Sequence, residues 1–161
     1  MTTIAWDGRA LCADRQLTTS GVRFQTTKAH RLNDGSLFAS CGELDLNATV
    51  RLYLNGGCEK PIIDKDSDFD GILIKPDGTA WMLNKRLVPI AIESSHFSTG
   101  SGRDFALIAL RMGKTARQAV EMASELDIWT GMGVTELSLG GSSEAVLQFG
   151  SEAEKKLNIV R

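Results

Sequence analysis

The chain has 161 residues, 42% apolar and 24% charged, ordinary proportions for a globular protein with one core. Its net charge of −2 supplies no basic field for nucleic acid or an anionic membrane. No stretch approaches the ~20 apolar residues of a membrane span, and no basic leader with an apolar run opens the chain, which argues against secretion.

Met1-Thr2-Thr3-Ile4-Ala5-Trp6 opens the chain. Two hydroxyl residues follow the initiator methionine, and methionine is removed efficiently before a small residue, so the mature chain is expected to begin at Thr2. A terminal threonine carries a hydroxyl and a free α-amine on one residue, a nucleophile and its own base. Met-Thr also opens many proteins for reasons of processing alone, and if Met1 is retained the amine is blocked and Thr2 is inert. Thr3–Trp6 and Ala10–Ala13 read as strands joined at Asp7-Gly8-Arg9, a hairpin signal. Arg15 to Thr27 is polar and reads as a loop or irregular strand. Lys28 enters a strand that ends at Gly42, with Asn33-Asp34-Gly35 as a turn and Ser36–Cys41 as its apolar part.

Leu46, Val50 and Leu54 recur at helical spacing, so Leu44–Leu54 is a predicted helix, stopped by Gly56-Gly57. Gly56 to Phe69 is too polar and proline-broken for a second one. Gly71–Lys75 and Thr79–Leu83 form a predicted hairpin about Pro76-Asp77-Gly78, and Ile90–Ile92 and His96–Thr99 are shorter strands. Arg103–Met112 and Ala116–Leu126 are predicted helices, the first closed by Gly113 and the second capped by Thr115. Val134–Leu139 is a predicted strand, and Ser151–Leu157 reads as weakly helical. Hairpins alternating with helices indicate a layered α+β sandwich and argue against a doubly wound parallel sheet.

Asp66-x-Asp68-x-Asp70-Gly71 has the spacing of a calcium loop, but Pro61 upstream and the strand and turn downstream favour a solvated acidic turn. His30 and His96 are isolated, so no metal site is expected. Cys12, Cys41 and Cys58 are odd in number without CxxC spacing and read as reduced thiols, consistent with a cytoplasmic protein. There is no P-loop and no cofactor motif.

Five stretches in order resemble the proteasome β-subunit family, which includes the bacterial heat-shock protease with an N-terminal threonine. They are Thr2-Thr3-Ile4, Asp14 with Thr18, Lys28-x-x-Arg31-Leu32, Gly100-Ser101-Gly102, and Asp127-x-x-Thr130-Gly131. Each alone also fits a structural role: an ion pair for Asp14 and Lys28, a loop and cap for Gly100–Gly102, a helix end for Asp127 and Thr130. Their joint order carries the resemblance, over about residues 2–139, and the chain is similar to small phage-type members.

The resemblance implies an N-terminal nucleophile hydrolase fold, a four-layer αββα sandwich of two antiparallel sheets. One domain would span residues 1–161, with 140–161 as a C-terminal extension. Thr2 would be the nucleophile of a threonine peptidase and its α-amine the general base. Lys28 would be a fixed positive charge beside the hydroxyl, held by Asp14, and Ser101, Asp127 and Thr130 would aim the amine. Thr18 would bind substrate backbone as an added strand. The oxyanion donor would be a backbone N–H after the third strand, where the family usually has glycine. Here the chain reads Ala39-Ser40-Cys41-Gly42, which leaves Ser40 and Gly42 as substrate-binding candidates within a register of a few residues.

The expected partners are other copies of the chain in a ring, a peptide or unfolded-protein substrate, and a separate ATP-driven unfoldase. The missing second helix after Leu54 leaves three assemblies open: a different ring size, a single ring, or no closed barrel. Two other readings stay open: a catalytically silent proteasome-like scaffold, and a small-amide hydrolase using the same nucleophile.

Overall fold

The computed structural model describes residues 1–141 and 145–147. In chain order the first elements are β1 (Thr3–Trp6), β2 (Ala10–Asp14), β3 (Gln16–Thr19), β4 (Val22–Gln25), β5 (Ala29–Arg31), β6 (Leu37–Gly42) and α1 (Leu44–Leu54). There follow β7 (Phe69–Ile74), β8 (Ala80–Leu83), β9 (Pro89–Ile92) and β10 (Phe97–Gly100). The last are α2 (Arg103–Arg111), α3 (Ala116–Leu126), β11 (Val134–Ser138) and β12 (Ala145–Leu147). The fold is α+β. One antiparallel sheet has the order β10-β1-β2-β11-β12, the other β5-β6-β7-β8-β9, and β3-β4 is a separate two-stranded hairpin.

The period-2 alternation of the strands builds the layers. Ile4, Trp6, Leu11 and Ala13 of the first sheet meet Leu37, Ala39, Ile72 and Ile74 of the second, burying the space between them. The alternate residues Ala5, Ala10 and Cys12 turn to the other face, against Ala106, Ala109, Ala119, Val120 and Ala123 of α2 and α3. Those alanines remove side-chain bulk and let both helices lie close to the sheet. On the far side Phe38, Phe69, Leu73 and Leu83 pack with Val50 of α1. The result is the four-layer αββα sandwich. Each fully buried leucine, isoleucine or phenylalanine contributes roughly 1.5–3 kcal/mol to holding these layers together.

The predicted helix limits Leu44–Leu54 and Ala116–Leu126 coincide with α1 and α3. Thr115 caps α3 with a capping box to Gln118. Two expectations need correction. Arg15 to Thr27 holds the regular hairpin β3-β4, and Lys28 precedes the short β5, which a turn separates from β6. At the end of the described residues β12 pairs with β11 and so continues the first sheet. The predicted helix at Ser151–Leu157 lies outside the described residues.

Two glycines fix how closely the strand ends approach. Gly42 ends β6 at φ +105°, and a Cβ there would stand 1.9 Å from the Asp68 carbonyl oxygen. Gly100 ends β10 at φ +98°, and a Cβ would stand 1.8 Å from the Thr2 carbonyl oxygen. Only glycine accepts both the left-handed backbone and the contact.

Candidate active site

β1 and β2 run antiparallel, with Ile4 opposite Ala13, so the start of β1 lies beside the end of β2. Asp14 is fully buried there. Its Oδ1 accepts the Thr3 N–H at 2.9 Å, and its Oδ2 accepts Gln16 N–H at 3.0 Å and Gly131 N–H at 3.2 Å. Lys28 Nζ reaches both carboxylate oxygens at 3.1 Å. A carboxylate, with lone pairs on both oxygens, accepts all of these donors. Burial pushes the Asp14 carboxyl up and the Lys28 ammonium down, and each is opposed by the charge of the other.

Lys28 is the largest side chain buried this completely, only 1% exposed, and its third contact is to the carbonyl oxygen of Met1 at 2.9 Å. The ammonium therefore sits on the peptide unit that contains the Thr2 nitrogen. Asn47 of α1 fixes the backbone here, donating to the Lys28 carbonyl at 3.2 Å and to Ser40 Oγ at 2.9 Å.

A second network borders Thr2 from the other side. Ser101 N–H donates to the Thr2 carbonyl at 2.9 Å. Gly102 N–H donates to Thr3 Oγ1 at 2.9 Å, Thr3 Oγ1 lies 2.6 Å from Thr130 Oγ1, and Thr130 Oγ1 donates to Asp127 Oδ2 at 2.6 Å. With Thr130 donating to Asp127, the Thr3 hydroxyl must donate to Thr130, so the network has one direction and ends on the carboxylate. Partial burial works against the Asp127 charge. Hydrogen bonds from Ser101, Thr130 and the Trp129 N–H, with the nearby terminal ammonium, nevertheless hold it below the ordinary carboxylate range.

A cleft of about 530 Å³ opens at this point, lined by Met1, Thr2, Ser101 and Asp127 together with Cys41, Thr99, Asp68 and Asp70. Of the residues singled out from the sequence, Thr2, Asp14, Lys28, Ser101, Asp127 and Thr130 fall in this one connected patch. Gly42 ends the strand that borders it. Ser40 does not line the cleft: it is buried, paired with Gly71 in the sheet, and its side chain is tied to Asn47. Thr18 lines a smaller neighbouring cavity of about 340 Å³ that shares Trp129 with the cleft. A larger, mainly apolar groove of about 770 Å³ lies between α1 and the β7-β8 hairpin, away from these groups.

Three contributors are given no role by the sequence. Thr3 reads as a strand residue, Gln16 as part of a polar loop, and Asn47 as one polar position beside an apolar helix stripe. Gln16 Nε2 donates to the Ile128 carbonyl at 2.9 Å, tying β3 to the segment that carries Asp127. The one available signal was Asn47, next to the apolar Leu46-Val50-Leu54 stripe, where a polar side chain that is buried must find partners.

No protein-family model matches the chain, and no curated protein matches it. Solved structures do. BPH of Thiobacillus denitrificans in complex with epoxomicin is similar at a TM-score of 0.66 and 19% identity, over 87% of this chain and 99% of that one. A second structure of BPH from the same organism gives 0.66 and 20% identity, over 88% and 99%. At this identity the likeness is one of fold, and it agrees with the αββα layering.

Proposed function

We propose that the chain is a threonine peptidase whose nucleophile is the Thr2 hydroxyl, with the Thr2 α-amine as general base after Met1 is removed. The observation that carries this reading is the buried Asp14–Lys28 pair, whose ammonium lies at the peptide unit preceding Thr2. Burying a lysine is costly and an apolar pair would stabilise the core as well, so the charge is retained for what it does. Removal of Met1 takes away the carbonyl that Lys28 now holds. The freed ammonium then faces the threonine, where it favours the alkoxide and disfavours protonation of the α-amine. Asp127, Thr130 and Ser101 border that amine with an acceptor and two hydroxyls.

Attack on a peptide carbonyl gives an ester to Thr2 with loss of the amine fragment, and water then hydrolyses the ester. The alternation of N–H directions along β6 supports Gly42 as oxyanion donor. Glu43 N–H bonds Asp68 on the β7 side, so the Gly42 N–H faces the opposite way, past the end of β5. Thr18, on the β3-β4 hairpin, would hold extended substrate. Epoxomicin bound to a protein of similar fold supports the same chemistry here. The proposed active form is a homo-oligomer that restricts access to peptides and unfolded segments, with an ATP-driven unfoldase as its supplier.

The test is intact-mass spectrometry followed by treatment with an epoxyketone and peptide mapping. Loss of one methionine and an adduct on Thr2 are expected. A retained Met1 and no adduct would overturn the reading in favour of a silent scaffold of the same fold. An adduct without cleavage of any peptide would point to a small-amide substrate.

A further inference from the structure

Resting on the reading of Thr2 as nucleophile, we propose that Asp68 and Asp70 make the cleft beside it selective for a basic side chain, so that the enzyme cuts after lysine or arginine. In β7 the residues Phe69 and Leu73 face α1, while Ile72 and Ile74 face the first sheet. Alternation therefore turns Asp70, and Asp68 just before the strand, toward the first sheet, where the inter-sheet layer ends and Thr2 stands. Both line the cleft with Thr2.

Beneath them are the most buried of the other lining residues, Cys41 and Thr99. Cys41 Sγ contacts the Asp70 carbonyl at 3.6 Å and Thr99 Oγ1 at 3.7 Å, which links the two sheets below the carboxylates. Burial pushes the Cys41 thiol up, so it stays neutral and does not compete with threonine as nucleophile.

Neither carboxylate has a partner: among the described residues no hydrogen bond or ion pair involves the side chain of Asp68 or Asp70. The two cations nearest Asp70 in effect are committed elsewhere. Lys85 Nζ donates to the Lys65 carbonyl at 2.9 Å. Arg103 contacts the Gly100 carbonyl at 3.3 Å and Asp104 at 3.7 Å. Partial burial and the neighbouring Asp68 push the Asp70 carboxyl up, so two like charges share this wall at a cost. A lysine ammonium or arginine guanidinium entering the cleft relieves that repulsion and forms charge-assisted bonds. A leucine would desolvate both carboxylates and give nothing back, and an acidic side chain would add a third like charge.

The experiment uses the full chain with its mature N-terminus and four fluorogenic peptides that differ only in the residue before the scissile bond: Arg, Lys, Leu and Glu. kcat/KM for Arg and Lys is expected to exceed that for Leu at least tenfold, with Glu lowest, and the ratio should shrink as salt is raised. The Asp68→Asn, Asp70→Asn double variant should bring the Arg-to-Leu ratio below threefold. Labelling of its Thr2 by a leucine-type epoxyketone shows that the site is still formed. Leu or Glu peptides cut as well as Arg, or a ratio unchanged in the labelled double variant, overturns this inference alone. Absence of both cleavage and adduct in the parent overturns the peptidase reading and this one with it.

Discussion

The proposed chemistry at residue scale depends on a charge kept where charge is expensive. Lys28→Ala leaves Asp14 buried without its counter-ion, a loss of about 3–5 kcal/mol in unfolding free energy that urea titration will register. Peptide cleavage should fall at least about 100-fold in the same variant, because the proposed nucleophile loses its neighbouring cation. Parental cleavage rates would remove Lys28 from the mechanism. His30 offers a separate measurement. Burial, helped by the Arg51 guanidinium 2.7 Å from its Nδ1, lowers its pKa to about 4. Above pH 6.5 both folded and unfolded chains hold the ring neutral. Between pH 6.5 and 4 the unfolded chain takes a proton that the folded one refuses, so stability falls as pH falls, by about 1–2 kcal/mol once the ring's partial exposure is allowed for. His30→Gln should show a smaller drop in the urea midpoint between pH 7 and 4.5 than the parent.

At the scale of elements, one side chain connects parts of the fold 109 residues apart. Asp7 Oδ1 accepts the N–H groups of Arg9 and Ala10 in the β1-β2 turn, and Oδ2 accepts the Ala116 N–H at the start of α3, at 2.8 Å. Asp7→Ala therefore loses a turn lock and a helix-terminal acceptor together, and should cost about 1–2 kcal/mol, with Asp7→Asn intermediate, by thermal or urea unfolding. From local sequence Asp7 reads as a turn residue only. Helices and buried strands were legible because one buried face imposes a period, as in Leu46-Val50-Leu54 and in Ile4-Trp6. The β3-β4 hairpin was not, because all four residues of β4 are exposed and no apolar alternation marks it. Likewise the site's residue types could be read, but Asn47, Gln16 and Thr3 reach Ser40, Ile128 and Thr130, which lie 7, 112 and 127 positions away, and local pattern does not encode such distances.

At the scale of the whole molecule, the α1 side of the sandwich leaves apolar surface uncovered. Leu52, Val88 and Ile90 are each about half exposed and Ile62 almost completely, and the 770 Å³ groove with Trp81 lies between α1 and β8. Such surface on one face is characteristic of association. The proposed homo-oligomer should sediment at a multiple of the 17.4 kDa chain. Ile62→Asp with Val88→Asp should shift it toward the single-chain mass without lowering the thermal midpoint of the isolated chain. A parental sedimentation profile for this pair would move the association elsewhere on the surface.

The hydrogen bond from Lys28 to the first residue's carbonyl has a practical corollary for producing the protein. In the proposed chemistry, any leader, purification handle or fusion joined ahead of Thr2 turns its nitrogen into an amide and gives the ammonium something else to hold. Such a preparation would fold, pass every purity check and look like a dead enzyme. A handle placed after Arg161, or a removable one whose cut leaves threonine first, is what lets activity be seen at all.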